Sequence, residues 1–269
     1  MTKLSKYYFT NLVGRQVTAN IRYNLPPGAI DAEKNTKNPV KTGISEKKPR
    51  PRDSIATRAS ILAAATQEFS AKGYNGARIE KIVALANCNV RMAYHYFGRK
   101  EALYIAVLEH AYSQVREREA QLDLTKLEPV EGMKVFIEST FDHISEHPEF
   151  VGLMTAENLQ KGRFLMKSKQ VPEATIALVE GIRNLLKRGK KTAVFHSNVD
   201  PIQIYVTILS LSYLHISNRY TLSIMFQKDL HDTAWLLQRR EHVVQVILGY
   251  LRGSKDEKSP GNDALKPSD

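Results

Sequence analysis

Between Ser54 and Glu101 the apolar residues return every three or four positions in three short runs, a spacing that restricts the segment to a cluster of packed helices. Ile61, Leu62, Ala65 and Phe69 share one face before Gly73 stops the run, and Ile79, Ile82, Val83 and Ala86 form a second, shorter face. Met92, Ala93, Tyr96 and Phe97 form a third beyond the break at Asn87, Cys88 and Asn89. A short helix, a turn and a second helix, packed on a preceding amphipathic helix, is the arrangement that lets one exposed helix enter the major groove of DNA.

The helical period then continues without strand-like alternation over Lys100 to Leu122, Pro129 to Glu146, Pro148 to Lys167, Pro172 to Arg188, Asp200 to Phe226 and Thr233 to Leu251. Pro129, Pro148, Pro172, Gly189 and Pro201 are the expected breaks. The expected fold is therefore all-α, with an N-terminal three-helix helix-turn-helix domain over residues 53–101 and a C-terminal helical domain over residues 102–252. Residues 1–52, rich in Pro, Gly, Lys and Asn between Pro26 and Arg52, read as a disordered basic arm, and residues 253–269 as a disordered polar tail.

Charge is distributed unevenly along the chain. Residues 1–52 hold 11 Lys and Arg against 3 Asp and Glu, and residues 53–101 hold 7 against 4. The remaining 168 residues hold 21 of each sign, so the whole net charge of +11 lies in the first 101 positions. A polyanion such as DNA is the partner such a surface attracts, although a basic arm can also be merely solvated. The first thirty residues carry no acid and include Lys3, Lys6, Arg15 and Arg22, a weakly transit-peptide-like composition without a signal-peptide core. The single cysteine, Cys88, excludes an internal disulfide and fits a reducing compartment, so a cytoplasmic location is expected.

The residues of the first region also carry a resemblance. Arg58, Ile61, Leu62, Ala64, Ala65, Phe69, Gly73 and Tyr74, then Ile82, Val83 and Ala86, then Tyr94, Tyr96, Phe97, Lys100, Glu101 and Leu103 together resemble the DNA-binding domain of TetR-type (TetR/AcrR) regulators. The match covers about fifty residues, and it departs at Asn87, where the family usually has Gly, and at Cys88, where a buried Val is usual. Asn tolerates a positive φ nearly as well as Gly, and a free Cys serves as a small core residue.

Arg91 is the candidate for base reading, because a guanidinium pairs bidentately with guanine; a phosphate contact is the alternative. Val90 and Met92 open the recognition helix beside it. Asn89 either caps that helix or touches a base or phosphate. Tyr94, His95 and Tyr96 lie on the next turn, where phenol and imidazole groups reach phosphates, while Phe97 packs inward. The resemblance makes Lys100 a backbone-contacting lysine and places Arg78 where Thr is usual, at the start of the second helix. The partner is then a double-stranded DNA operator.

The segments Val115 to Leu124, His147 to Phe150, Glu157 to Leu159 and Ser217 to Ser223 look similar to the branch that contains nicotinate- and pyrimidine-catabolism regulators. The resemblance implies a homodimer that represses from a near-palindromic operator and is released by a small-molecule effector. Candidate effector contacts are Glu157, Asn158, Arg163, Tyr205 and His215, polar groups inside otherwise apolar helices. Pro201 to Asn218 lacks charge, but Gln203, Thr207, Ser210, Ser212 and His215 argue against a membrane span. A helix buried in a homodimer, together with Thr233 to Leu251, accounts for the same composition.

No catalytic residue, metal site or cofactor is expected. His143, Glu146 and His147 match a zinc-hydrolase spacing, but Pro148 ends the helix at once and a third ligand is missing. A non-specific architectural DNA-binding protein is the other reading open to a basic chain.

Overall fold

A computed structural model of the protein describes residues 7–10, 16–19, 51–196 and 199–253. Two units are distinguished, Met1–Lys48 and Pro49–Asp269. In the first, β1 (Tyr7–Thr10) pairs antiparallel with β2 (Gln16–Ala19), with Tyr7 opposite Ala19 and Thr10 opposite Gln16. This ribbon stands where the sequence predicts a disordered arm. Its aromatic and β-branched content suits a pleated ribbon better than a solvated coil. The rest of the expected arm up to residue 50, and the tail beyond Gly253, lie outside the described residues.

The second unit is all-α among its described residues. It comprises α1 (Pro51–Gly76), α2 (Ile79–Leu85), α3 (Val90–Phe97), α4 (Lys100–Ala120), α5 (Pro129–Glu146), α6 (Pro148–Leu159), α7 (Gln170–Lys191), α8 (Pro201–Ser217), α9 (Arg219–Phe226) and α10 (Thr233–Arg252), with a single 3-10 turn at Leu165–Lys167. Pro51 opens α1, so the helix starts slightly before the expected Ser54; proline fits the first turn because its missing N–H would be unpaired there anyway. Asp200 caps α8 by accepting from Ile202 N and Gln203 N, and Asp232 caps α10 by accepting from Trp235 N. The helical trace of α1 breaks at Gly73, which meets the expected need for a positive φ (63°) but with ψ 178°, an extended conformation rather than the left-handed helical one expected there.

Three sequence boundaries move. Pro148 to Lys167 is not one helix, because Lys161 and Gly162 take positive φ after α6. Asp200 to Phe226 divides at Asn218 into α8 and α9. Gly189, read as a breaker, lies inside α7; a Cβ there would sit 2.0 Å from the Phe195 ring, so its role is to let that ring approach.

Two principal cores result. The first gathers Phe69, Ile82, Phe97, Tyr104 and Phe164 and joins the first three helices to α4 and α6. Burying each such large side chain stabilises the fold by roughly 1.5–3 kcal/mol. The second gathers Met133, Phe136, Ile182, Ile208, Val243 and Ile247 from α5, α7, α8 and α10. Gly152 of α6 lies so close to α1 that a Cβ would meet the Ser70 carbonyl oxygen at 2.6 Å. The reading domain and the helical body thus share a backbone-tight junction.

Candidate DNA-reading helix and effector cavity

The turn before α3 is built from three adjacent residues. Asn87 adopts φ 50°, Cys88 N donates to the Val83 carbonyl, and Asn89 Oδ1 accepts from Met92 N at 2.9 Å. Asn89 is therefore the helix cap, whatever else it touches. Cys88 is half-buried against the first core, and burial pushes its thiol pKa up, away from reactivity. Ala93 and Phe97 anchor α3 inward, and the Arg58 guanidinium lies 4.8 Å above the Phe97 ring.

This anchoring sorts the candidate DNA contacts. Arg91, Tyr94 and His95 are exposed on the outer side of α3, as are Asn89 before it and Arg78 at the start of α2. Val90, Met92 and Tyr96 are half-buried, and Val90 and Tyr96 pack against the first core. Lys100 is also half-buried. Its Nζ donates to the Ala77 carbonyl at 2.6 Å and lies 4.9 Å from the centre of the Tyr74 ring, and burial lowers its pKa. Glu68, which the sequence pattern does not single out, is buried and accepts from Arg78 N at 3.3 Å, so it supplies an acceptor at the start of α2.

The five candidate effector contacts are not brought together. Glu157 Oε1 accepts from Phe164 N at 2.8 Å and Leu165 N at 2.9 Å, holding the 3-10 turn. Asn158 is exposed and donates to the Met154 carbonyl of its own helix, and Arg163 is exposed over the Phe164 ring. His215 is buried, stacked on Phe141 beside Trp235. Tyr205 accepts at its hydroxyl from Arg116 Nη2 at 2.8 Å.

Arg116, absent from the sequence candidates, lines a cavity of about 180 Å³ between α4 and α7 that also presents Glu109, Tyr112, Gln170, Val171 and Ala174. None of the five expected residues lines this cavity. One turn along α4, buried Glu119 faces Arg116 at 3.1 Å. Burial pushes the Glu119 carboxyl up to about 7 against the opposing pull of Arg116, and pushes Tyr112 up to about 12. A usable signal is Glu119 standing at the apolar period of Leu108, Ala111 and Val115.

The zinc-like spacing does not become a site. His143 is buried against Phe150, Glu146 is held by Arg118 at 2.7 Å, and His147 Nδ1 faces Glu149 at 2.9 Å. Among the described residues no group of three His, Cys, Asp or Glu side chains is placed to hold a metal, and no helix is long and apolar enough to cross a membrane.

A capped, outward-facing α3 on a three-helix unit, fused to a larger helical body, defines a helix-turn-helix regulator. Comparison with known proteins specifies it further. Residues 61–107 match the model of the bacterial regulatory proteins of the tetR family, and residues 129–247 match the tetracyclin repressor-like C-terminal domain. The HTH-type transcriptional repressor NicS of Pseudomonas putida is 37% identical over 192 residues, 71% of this chain and 88% of the relative. The HTH-type transcriptional regulator RutR of Escherichia coli K12 is 26% identical over 208 residues, 76% of this chain and 94% of the relative. The ketosteroid transcriptional regulator KstR2 of Mycobacterium tuberculosis superposes with a TM-score of 0.56 at 15% identity, over 73% of this chain and 95% of that one, which bears on the fold alone. The chain belongs to the tetR family of bacterial transcriptional regulators.

Proposed function

We propose that the protein is a cytoplasmic repressor that binds a near-palindromic operator as a homodimer and leaves it when a small effector occupies the helical body. The observation that carries this reading is the division of α3, with Ala93 and Phe97 locked inward and Arg91, Tyr94 and His95 turned to solvent. Arg91 suits base reading, and Tyr94, His95 and Arg78 suit phosphates. Lys100, whose Nζ already serves Ala77, has two further N–H donors for a phosphate.

Dimerisation is supported by the apolar residues that α8 and α10 leave in solvent, namely Ile202, Val206 and Leu214 on the first and Leu237, Val246 and Tyr250 on the second. Two copies would set their recognition helices about 34–36 Å apart, one turn of DNA, in the binding conformation.

Release requires an effector that favours a different conformation. A chain of contacts supports such coupling. The Ser168 hydroxyl, just before α7, donates to Glu109 of α4 at 2.7 Å, Lys167 pairs with Glu101, and Phe164 packs on Tyr74 at 4.2 Å between ring centres. Tyr74 in turn lies under Lys100.

Selection of bound duplexes from a random library with the full chain tests the reading. The expected product is one near-palindromic motif with half-sites a helical turn apart. Recovery of no motif would favour an architectural DNA-binding protein instead.

A further inference from the structure

Helix α2 begins without the side chains that ordinarily satisfy a helix N-terminus. In a reciprocal cap, a Ser or Thr accepts from an amide of the first turn, and a Glu three residues later accepts from the N–H of the cap residue. Here Arg78 occupies the cap position without a side-chain cap bond, and Lys81 stands three residues later. Both are cations at a helix end whose dipole favours anions. The missing acceptor comes from another helix, since Glu68 of α1 is buried and its Oε1 accepts from Arg78 N at 3.3 Å. The carbonyl of the same peptide unit, Ala77 O, accepts from Lys100 Nζ of α4 at 2.6 Å. The Ala77–Arg78 peptide is thus held at its N–H by an acid and at its C=O by a cation, each on a different helix. Ala77 is buried and Arg78 is exposed, so the chain passes from core to surface at this peptide.

We propose that Glu68, acting with Lys100, is a positioning residue for DNA reading: by fixing the Ala77–Arg78 peptide it aims the Arg78 guanidinium at the DNA backbone. A hydrogen bond with a charged partner is stronger than a neutral one, and this peptide has one on each side. Arg78 is extended, at φ −123° and ψ 131°, and the clamp on its amide holds that conformation while its side chain stays in solvent. The two clamping groups also sense each other. Burial lowers the Lys100 pKa, and the charges of Glu68 and Glu80 oppose that shift. An acid within a DNA-binding unit is otherwise a liability, because its charge repels phosphates. The service Glu68 renders at the start of α2 offsets that repulsion.

This inference deepens the operator-binding reading above and rests on it for the phosphate contact of Arg78. Fluorescence anisotropy of the full chain on its selected operator, over a range of salt concentrations, separates positioning from charge. If charge alone mattered, removing an acid would strengthen DNA binding. Glu68→Leu is expected instead to weaken it by about fivefold near physiological salt and to make the log–log salt slope shallower by about 0.9, the mark of one lost phosphate contact. Arg78→Ala is expected to show the same loss, and the double variant no more than either single one, because the two residues act through one contact. Glu68→Gln, whose amide oxygen still accepts from Arg78 N, is expected to bind as wild type or more tightly. Circular dichroism checks that each variant is folded in the assay. A Glu68→Leu protein that binds as tightly as wild type, or more weakly with an unchanged slope, overturns the proposal. Weaker binding by Glu68→Gln overturns it as well, whether or not Glu68→Leu folds. An Arg78→Ala protein that binds as wild type, with the operator still preferred over a scrambled duplex, removes this inference and leaves the operator-binding reading intact. A wild-type protein without that preference removes the reading instead, while the salt slopes still decide the role of Glu68.

Discussion

Lys100 and Arg116 stand on the same helix, about 24 Å apart at 1.5 Å per residue, and the two ends of α4 treat a cation in opposite ways. At the DNA-reading end, Lys100 is bonded to Ala77, covered by Tyr74 and balanced by Glu68 and Glu80. At the other end, Arg116 and Glu119 are more deeply buried and less completely bonded. The first arrangement fixes the position of the reading helices. The second keeps a polar interior whose energy changes when its partners change, which suits a part of the molecule that must respond rather than hold still.

The junction between these regions should be the most sensitive position. Gly152→Val forces side-chain atoms against the Ser70 carbonyl, and overpacking of this kind costs about 1–3 kcal/mol, or more where backbone must shift. A fall in the chemical-denaturation midpoint of this variant is the expected result; an unchanged midpoint would mean that α1 and α6 are not rigidly joined.

At the DNA-reading end, Asn89→Ala should remove the cap of α3 and lower stability by about 0.5–2 kcal/mol, seen in the same denaturation experiment. Arg91, which has no such structural duty, should leave the midpoint unchanged when replaced by Ala while costing about 1–3 kcal/mol of binding to the selected operator. If Arg91→Ala unfolds the protein, the separation of structural from reading residues on α3 is wrong.

The helical body should show its buried ionisable groups through pH. Burial holds His143 and His215 down to about 4, whereas in the unfolded chain they protonate near 6.5, so they favour the native state above 6.5 and this contribution is lost as pH falls towards 4. Glu119 has the opposite sign. Its native value of about 7 lies above the ordinary 4.5, so its contribution is complete below 4.5 and is lost as pH rises through 7. Because two histidines outweigh one carboxyl, denaturation midpoints should rise from pH 4 and level off near pH 7, and Glu119→Gln should steepen the rise between pH 4.5 and 7. A rise of unchanged steepness in Glu119→Gln would show that this carboxyl does not oppose the histidines.

The smallest effect concerns the basic N-terminal unit. Removing residues 1–48 should make DNA binding less sensitive to salt, with the log–log slope shallower by about 0.9 for each phosphate that this unit neutralises. An unchanged slope would show that the unit does not touch DNA.

The two ends of α4 also differ in how much of them can be read from sequence. Gly73, Asn87 and Asn89 answer local demands, a helix stop, a positive φ and a cap, and each of them meets that demand in the structure. Tyr96 is less legible, because a tyrosine beside a reading helix serves equally as a phosphate donor or a packing ring, and here its ring packs against the core. Arg116 sits in a run of alternating charges that resembles a solvated face, and it is buried only in the fold, where α7 packs on α4 and Tyr205 of α8 takes its Nη2. Gly189 misleads for a similar reason, since Phe195, beyond the end of α7, folds back onto it.

The central claim is that α3 reads sequence rather than merely charge. Fluorescence anisotropy of the full chain on its selected operator and on a scrambled duplex, at one fixed salt concentration, measures this directly. A regulator of this kind should prefer the operator by roughly 10³-fold or more, whereas a ratio near one would contradict the account.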